Sequence, residues 1–119
     1  MNLDDSAGAN QRRLQRWYLV MYLRVFNEDT GDLLGHIIDI NKEGLRLLSD
    51  QPITPNQTFH LGVDVPKGNI MRQRIHLEAV SLWSGPDINP DFYDTGFRLQ
   101  NISTQTLLQL QLLIDEFKF

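Results

Sequence analysis

Three arginines fall within five positions at Arg12, Arg13 and Arg16, and the guanidinium group is well suited to holding a phosphorylated ligand. Its planar fork makes paired bonds to phosphate oxygens or to O6 and N7 of guanine, and it stacks on aromatic rings. A four-residue gap aligns Arg12 with Arg16 in either common backbone, about 13 Å apart in an extended segment and about 6 Å apart along a helical turn. Further along, Asp39-Ile40-Asn41-Lys42-Glu43-Gly44 places Asp39 and Asn41 at the same strand parity. Asp39 could accept the N1 and N2 hydrogens of a guanine, with Asn41 beside it and Gly44 free to take a positive φ. Taken singly, each feature has an ordinary reading: the arginines as a solvated basic stretch, and Asn-Lys-Glu-Gly as a hairpin connection.

Other chemistry finds little support. His36, His60 and His76 lie in strand-like segments without metal-ligand spacing, so they read as structural and no metal is expected. Asp-Thr-Gly occurs at Asp29–Gly31 and again at Asp94–Gly96, which invites comparison with the paired carboxylates of aspartic proteases. The residues that follow are Asp32 and Phe97 rather than the small residue of that signature, and both copies suit turns or strand starts. There is no Gly-rich phosphate loop, no Gly-x-Ser-x-Gly elbow and no cluster of acids at catalytic spacing. The expectation is a binding module without cofactor, not an enzyme.

Composition limits the partners. With 119 residues, 41% of them hydrophobic and 22% charged, the chain can bury a core as one domain. A net charge of −4 opposes charge-driven DNA or RNA binding, even though Trp17, Tyr18 and Tyr22 could stack bases. The absence of cysteine, of a basic-apolar leader and of an apolar run near ~20 residues points to a cytoplasmic protein with no membrane insertion.

The elements that must carry these groups are mostly strands. Residues 1–11 are small and polar and are expected to form a flexible N-terminal arm. Trp17 to Phe26 reads as the first strand, closed by the turn formers Asn27 to Asp32. Leu34, His36, Ile38 and Ile40 alternate in the second, and Leu45 to Leu48 form the third. Phe59, Leu61, Val63 and Val65 mark a half-buried fourth strand, and Met71 to about Trp83 a long fifth. In the fifth, the apolar phase changes between Ala79 and Val80, as a bulge would produce. Ser84 to Pro90 reads as an exposed loop before a sixth strand with Thr95, Phe97 and Leu99 on one face. Leu107, Leu110, Leu113, Ile114 and Phe117 then recur at helical spacing after a Ser103 or Thr104 cap. The fold class is therefore mainly all-β: a six-stranded antiparallel barrel over about 17–100, closed by a C-terminal α-helix over about 103–118.

Arg-x-x-x-Arg before the first strand and an Asp-x-Ser-x-x-Gly-like turn after the second together resemble the PilZ domain family, receptors for cyclic di-GMP. The resemblance continues through Trp83, Gly96-Phe97 and the terminal helix, covering about residues 11–119, with a single domain over 12–119. It implies a dinucleotide bound outside the barrel, with Arg12, Arg13 and Arg16 on phosphates and guanine and with Asp39, Asn41 and Gly44 as the floor. Asn41 departs from the family pattern, which has serine there. The implied action is an arginine-bearing arm that orders over cyclic di-GMP and changes the surface shown to a protein effector, in motility or biofilm regulation. The alternative is an adaptor that binds no nucleotide and works through protein contacts alone.

Overall fold

Alternating apolar side chains build seven antiparallel strand segments and one helix: β1 (Trp17–Tyr18), β2 (Arg24–Asn27), β3 (Leu33–Ile40), β4 (Gly44–Ser49), β5 (Thr58–Lys67), β6 (Met71–Pro86), β7 (Tyr93–Gln100) and α1 (Thr104–Phe117). The computed structural model describes residues 15–19, 22–67 and 71–118. Arg12, Arg13 and the arm expected over 1–11 lie outside the described residues. Strands β3, β2, β5, β6, β7 and β4 pair in that order and the ring closes through β3–β4, giving a six-stranded barrel. Closure leaves no unpaired barrel edge.

The expected first strand is one strand in two pieces. β1 pairs with the end of β3 (Tyr18 opposite Asp39), and β2 pairs with its beginning (Arg24 opposite His36). Leu19 leaves β3 and bridges to Lys118 beyond the helix, and the Leu23 carbonyl then accepts from the Ile37 amide at 2.9 Å. Leu19 and Leu23 are both buried, so the detour serves packing.

The interior is filled by the inward-facing residues of the alternating strands, among them Val25, Ile37, Leu45, Leu47, Leu61, Val63, Leu77 and Phe97. Burying each such side chain is worth about 2 kcal/mol. Phe59 meets Phe97 edge to face at 5.8 Å between ring centres. Helix α1 begins at Ser103, whose hydroxyl accepts from the Thr106 amide, and it buries Leu110, Leu113, Ile114 and Phe117 against the same cluster. Leu107 is only half-buried.

β6 departs from expectation in two ways. It runs to Pro86, because Gly85 and Pro86 still pair with Asp94 and Tyr93 where a loop was expected from Ser84. Its register shift lies between Ser81 and Trp83, not at Ala79 and Val80. Ser81 keeps the inward phase and donates its hydroxyl to the Thr54 carbonyl at 2.7 Å. A buried serine hides that phase from a count of apolar residues. Beyond the shift, Leu82 and Trp83 both face outward.

On the outer face of β5, His60 Nδ1 lies 3.1 Å from Asp29 Oδ2. The hydrogen bond to Asp29, and then its charge, raises the His60 pKa above 6.5. A raised histidine contributes stability that is complete below its unfolded pKa and lost as pH rises through the folded one. The melting temperature should therefore fall between roughly pH 6 and pH 8 by less in His60→Gln than in the wild type. Thermal unfolding followed by circular dichroism at both pH values measures this; parallel curves for the two proteins would deny His60 that role.

Candidate functional site

Cross-strand register places the site. Tyr18 on β1 opposes Asp39 on β3, Asp39 opposes Arg46 on β4, Arg46 opposes Gly96 on β7, and Gly96 opposes Trp83 on β6. These residues form one row across the outside of the barrel. The glycine is what lets the row close over itself: a β-carbon at 96 would lie well within 3.0 Å of Trp83 indole atoms. Trp83 lies over that gap and is 46% exposed. Beside the row is a hollow of about 400 Å³ lined by Arg16, Tyr18, Asp39, Leu45, Arg46, Leu82, Trp83, Gly96 and Phe97.

Asp39 is the buried centre, 2% exposed. Its Oδ1 accepts from Arg16 Nε at 2.7 Å and its Oδ2 lies 2.8 Å from Arg46 Nη2. Arg46 also reaches Asp94, with Nη1 3.8 Å from Oδ2. The Asp94 carboxyl is raised above the ordinary aspartate value, by burial first and then by Asp87, while Arg46 pulls it back. Asp87, which accepts from the Asn89 amide, is lowered. The acid companion of Asp94 is Asp87, whereas Asp29, in the other Asp-Thr-Gly copy, pairs with His60.

The structure brings Arg16 and Asp39 together although they lie 23 positions apart in sequence. Asn41 and Gly44 occupy the same corner but serve the turn. Asn41 Oδ1 accepts from the amides of Glu43 at 2.8 Å and Gly44 at 3.0 Å, and the residue is 7% exposed. Among the described glycines only Gly31 has a positive φ, so Gly44 is not needed for a left-handed turn. It is needed because a β-carbon there would collide with the Phe97 carbonyl oxygen on β7.

Asn41→Ala should cost about 1–2 kcal/mol, since it leaves two shielded amides without their acceptor. Asn41→Ser, whose hydroxyl can still accept from the turn, should cost less than half of that. Urea unfolding compares the two; equal stability of Asn41→Ala and the wild type would show that the amides find other partners.

Two other hollows lie away from this row. One, of about 310 Å³, is lined by Leu33, Leu34, His36, Leu48, Ile53, Phe92 and neighbours, without arginine or lysine. The other, of about 440 Å³, lies on the helix side of the turn, between Lys42, Arg98, Ile102 and Leu107. Neither contains both the buried carboxylate and the outward-facing aromatic of the Asp39–Trp83 row. Among the described residues no group of three or more His, Cys, Asp or Glu could hold a metal, and no helix is long and apolar enough to cross a membrane.

No family model matches the chain, and no curated protein matches it in sequence. Solved structures do match its fold. The inhibitor of motility MotI/DgrA from Bacillus subtilis superposes with a TM-score of 0.70 at 15% identity, over 89% of this chain and 50% of that one. The PilZ domain of YcgR from Escherichia coli, solved with c-di-GMP, gives 0.66 at 17% identity, over 89% and 90% of the two chains. This chain folds as a PilZ-type domain. A longer YcgR structure in complex with c-di-GMP gives 0.67 at 19% identity, with 89% of this chain covering 45% of that one. The present chain thus spans about half of MotI/DgrA and of that longer YcgR, and nearly all of the isolated YcgR PilZ domain.

In this PilZ-type barrel, sequence reading locates Arg16 and Asp39 but misses Arg46 as a site residue and leaves Trp83 without a ligand role. They lie on β4 and β6, strands far apart in sequence that the barrel brings to either side of β7. The only local sign of Arg46 is its position in the strand that follows the turn.

Proposed function

We propose that this PilZ-type domain is a receptor for cyclic di-GMP, bound on the outside of the barrel over the Asp39–Trp83 row. The observation that carries the reading is the Arg16–Asp39 contact at 2.7 Å, which joins the two motifs at the rim of a hollow with an exposed indole. The chemistry of the walls suits the ligand. Asp39 accepts the N1 and N2 hydrogens of a guanine, the Trp83 face stacks on the base, and arginines bind the two phosphates. MotI/DgrA and YcgR share the fold, and the YcgR structures hold c-di-GMP, which supports the same ligand here.

Arg16 is the movable piece. Its side chain is 45% exposed while that of Asp39 is 3% exposed. A guanine edge arriving at Asp39 takes over the place of the Arg16 Nε, and Arg16 passes to a phosphate, with Arg12 and Arg13 joining it. This rearrangement of the arginine segment changes the surface offered to a protein effector.

A second reading, an adaptor that binds no nucleotide, is favoured by one observation: both Asp39 oxygens and the Asn41 carbonyl are already satisfied by protein groups. Calorimetric titration with cyclic di-GMP separates the two. The receptor reading expects saturable binding that weakens between about 0.05 and 0.5 M salt, because arginine–phosphate pairing is screened. Absence of heat and of any spectral change at millimolar ligand favours the adaptor.

A further inference from the structure

Arg46 lies in the middle of the row with a carboxylate on either side, and its fork spans both: Nη2 to Asp39 at 2.8 Å and Nη1 to Asp94 at 3.8 Å. Its side chain is 29% exposed, against 45% for Arg16, so it is the better-anchored of the two cations on Asp39. Its strand is held on both edges: Arg46 is on β4, paired with β3 and with β7 in the closed barrel, opposite Gly96, whose missing side chain leaves room for the Trp83 ring. Arg46 Nε and Asp94 Oδ1 are buried with no hydrogen-bond partner among the described residues, so the orientation of each group rests on the few contacts named here.

We propose that Arg46 is a positioning residue for the Asp39 carboxylate, and that Asp94 holds Arg46 in the orientation this requires. A carboxylate bonded only to the mobile Arg16 would turn with it. One braced at Oδ2 by a fixed fork keeps its Oδ1 side and its remaining lone pairs aimed at the hollow. When Arg16 leaves, Arg46 stays, so Asp39 presents the same edge with and without ligand. Such preorganisation spares the ligand the cost of ordering its own acceptor. The role rests on the receptor reading where it concerns ligand affinity; the bracing of Asp39 itself exists in the free protein and can be measured there.

The test uses the whole chain and two readouts. In the ligand-free protein, the side-chain Nε–Hε resonance of Arg16 reports its bond to Asp39. It should be slow-exchanging in the wild type and in Arg74→Ala, a control on the other side of the barrel, and should broaden or move in Arg46→Ala and, to a smaller degree, in Asp94→Asn. By calorimetry, cyclic di-GMP affinity should fall at least tenfold in Arg46→Ala and about threefold in Asp94→Asn, with no change in Arg74→Ala. Arg46→Lys keeps the charge and most of the stem, which guards against a variant that fails to fold. It should melt like the wild type yet remain at least fivefold weak, because one ammonium cannot serve both carboxylates.

An Arg16 resonance and an affinity both unchanged in Arg46→Ala would overturn the proposal, as would full recovery of both by Arg46→Lys. If the wild type binds no cyclic di-GMP while the Arg16 resonance still responds to Arg46→Ala, the receptor reading falls and the positioning of Asp39 stands.

Discussion

Asp39→Ala is expected to weaken cyclic di-GMP binding by about a hundredfold or more while costing the fold only about 1–2 kcal/mol. A guanine edge gives Asp39 two hydrogen bonds to a charged acceptor, each worth roughly 1.5 kcal/mol or more, and every 1.4 kcal/mol is about tenfold in affinity. The fold loses less, because Arg16 is already half in solvent and Arg46 retains Asp94. Asp39→Asn should bind almost as poorly, since its amide group turns a donor toward the guanine donors. Calorimetry on both variants, with melting curves to confirm folding, decides the matter; wild-type affinity in either would remove Asp39 from the site.

Gly44→Ala is expected to be among the more damaging single methyls in the protein, at about 3 kcal/mol and a loss of roughly 10 °C in melting temperature. The new β-carbon would overlap the Phe97 carbonyl oxygen, a backbone atom of a paired central strand with no rotamer to adopt. Phe97 is also core, packed against Phe59, so any retreat of β7 opens the barrel where β4 closes it. Gly31→Ala makes the contrast. Its φ of +84° carries only the left-handed penalty, about 1 kcal/mol, because open space surrounds the position. Thermal unfolding of the pair checks the order; a Gly44→Ala protein as stable as Gly31→Ala would mean that β4 and β7 can separate freely.

Much of the barrel is legible in the sequence because period-two patterning reports burial directly. Phe59, Leu61, Val63 and Val65 mark β5, and Leu110, Leu113, Ile114 and Phe117 behind the Ser103 cap mark α1. The illegible parts share a physical cause, which is that the partner deciding each of them is distant in the chain. Leu19 leaves the first strand to meet Lys118, nearly a hundred residues on. Ser81 faces inward because the Thr54 carbonyl accepts a hydrogen bond from its hydroxyl. Gly85 and Pro86 have the composition of a loop, yet they extend β6 because Asp94 and Tyr93 pair with them. The candidate site divides in the same way. Arg16 and Asp39 announce themselves by residue type and spacing, and Gly44 by its place in the turn, although for sterics rather than for φ. The Arg46–Gly96–Trp83 part of the row exists only once β4, β7 and β6 are neighbours.

Stacking of guanine at Trp83 and its bonding at Asp39 are both read by one ¹H–¹⁵N spectrum recorded during cyclic di-GMP titration. The expected result is a saturable shift of the Trp83 indole Nε1–H and of the Arg16 Nε–Hε, together with the amides of residues 39–44. A spectrum in which those signals stay fixed at saturating ligand, or in which the only shifts come from the apolar hollow around Leu34 and Phe92, contradicts it.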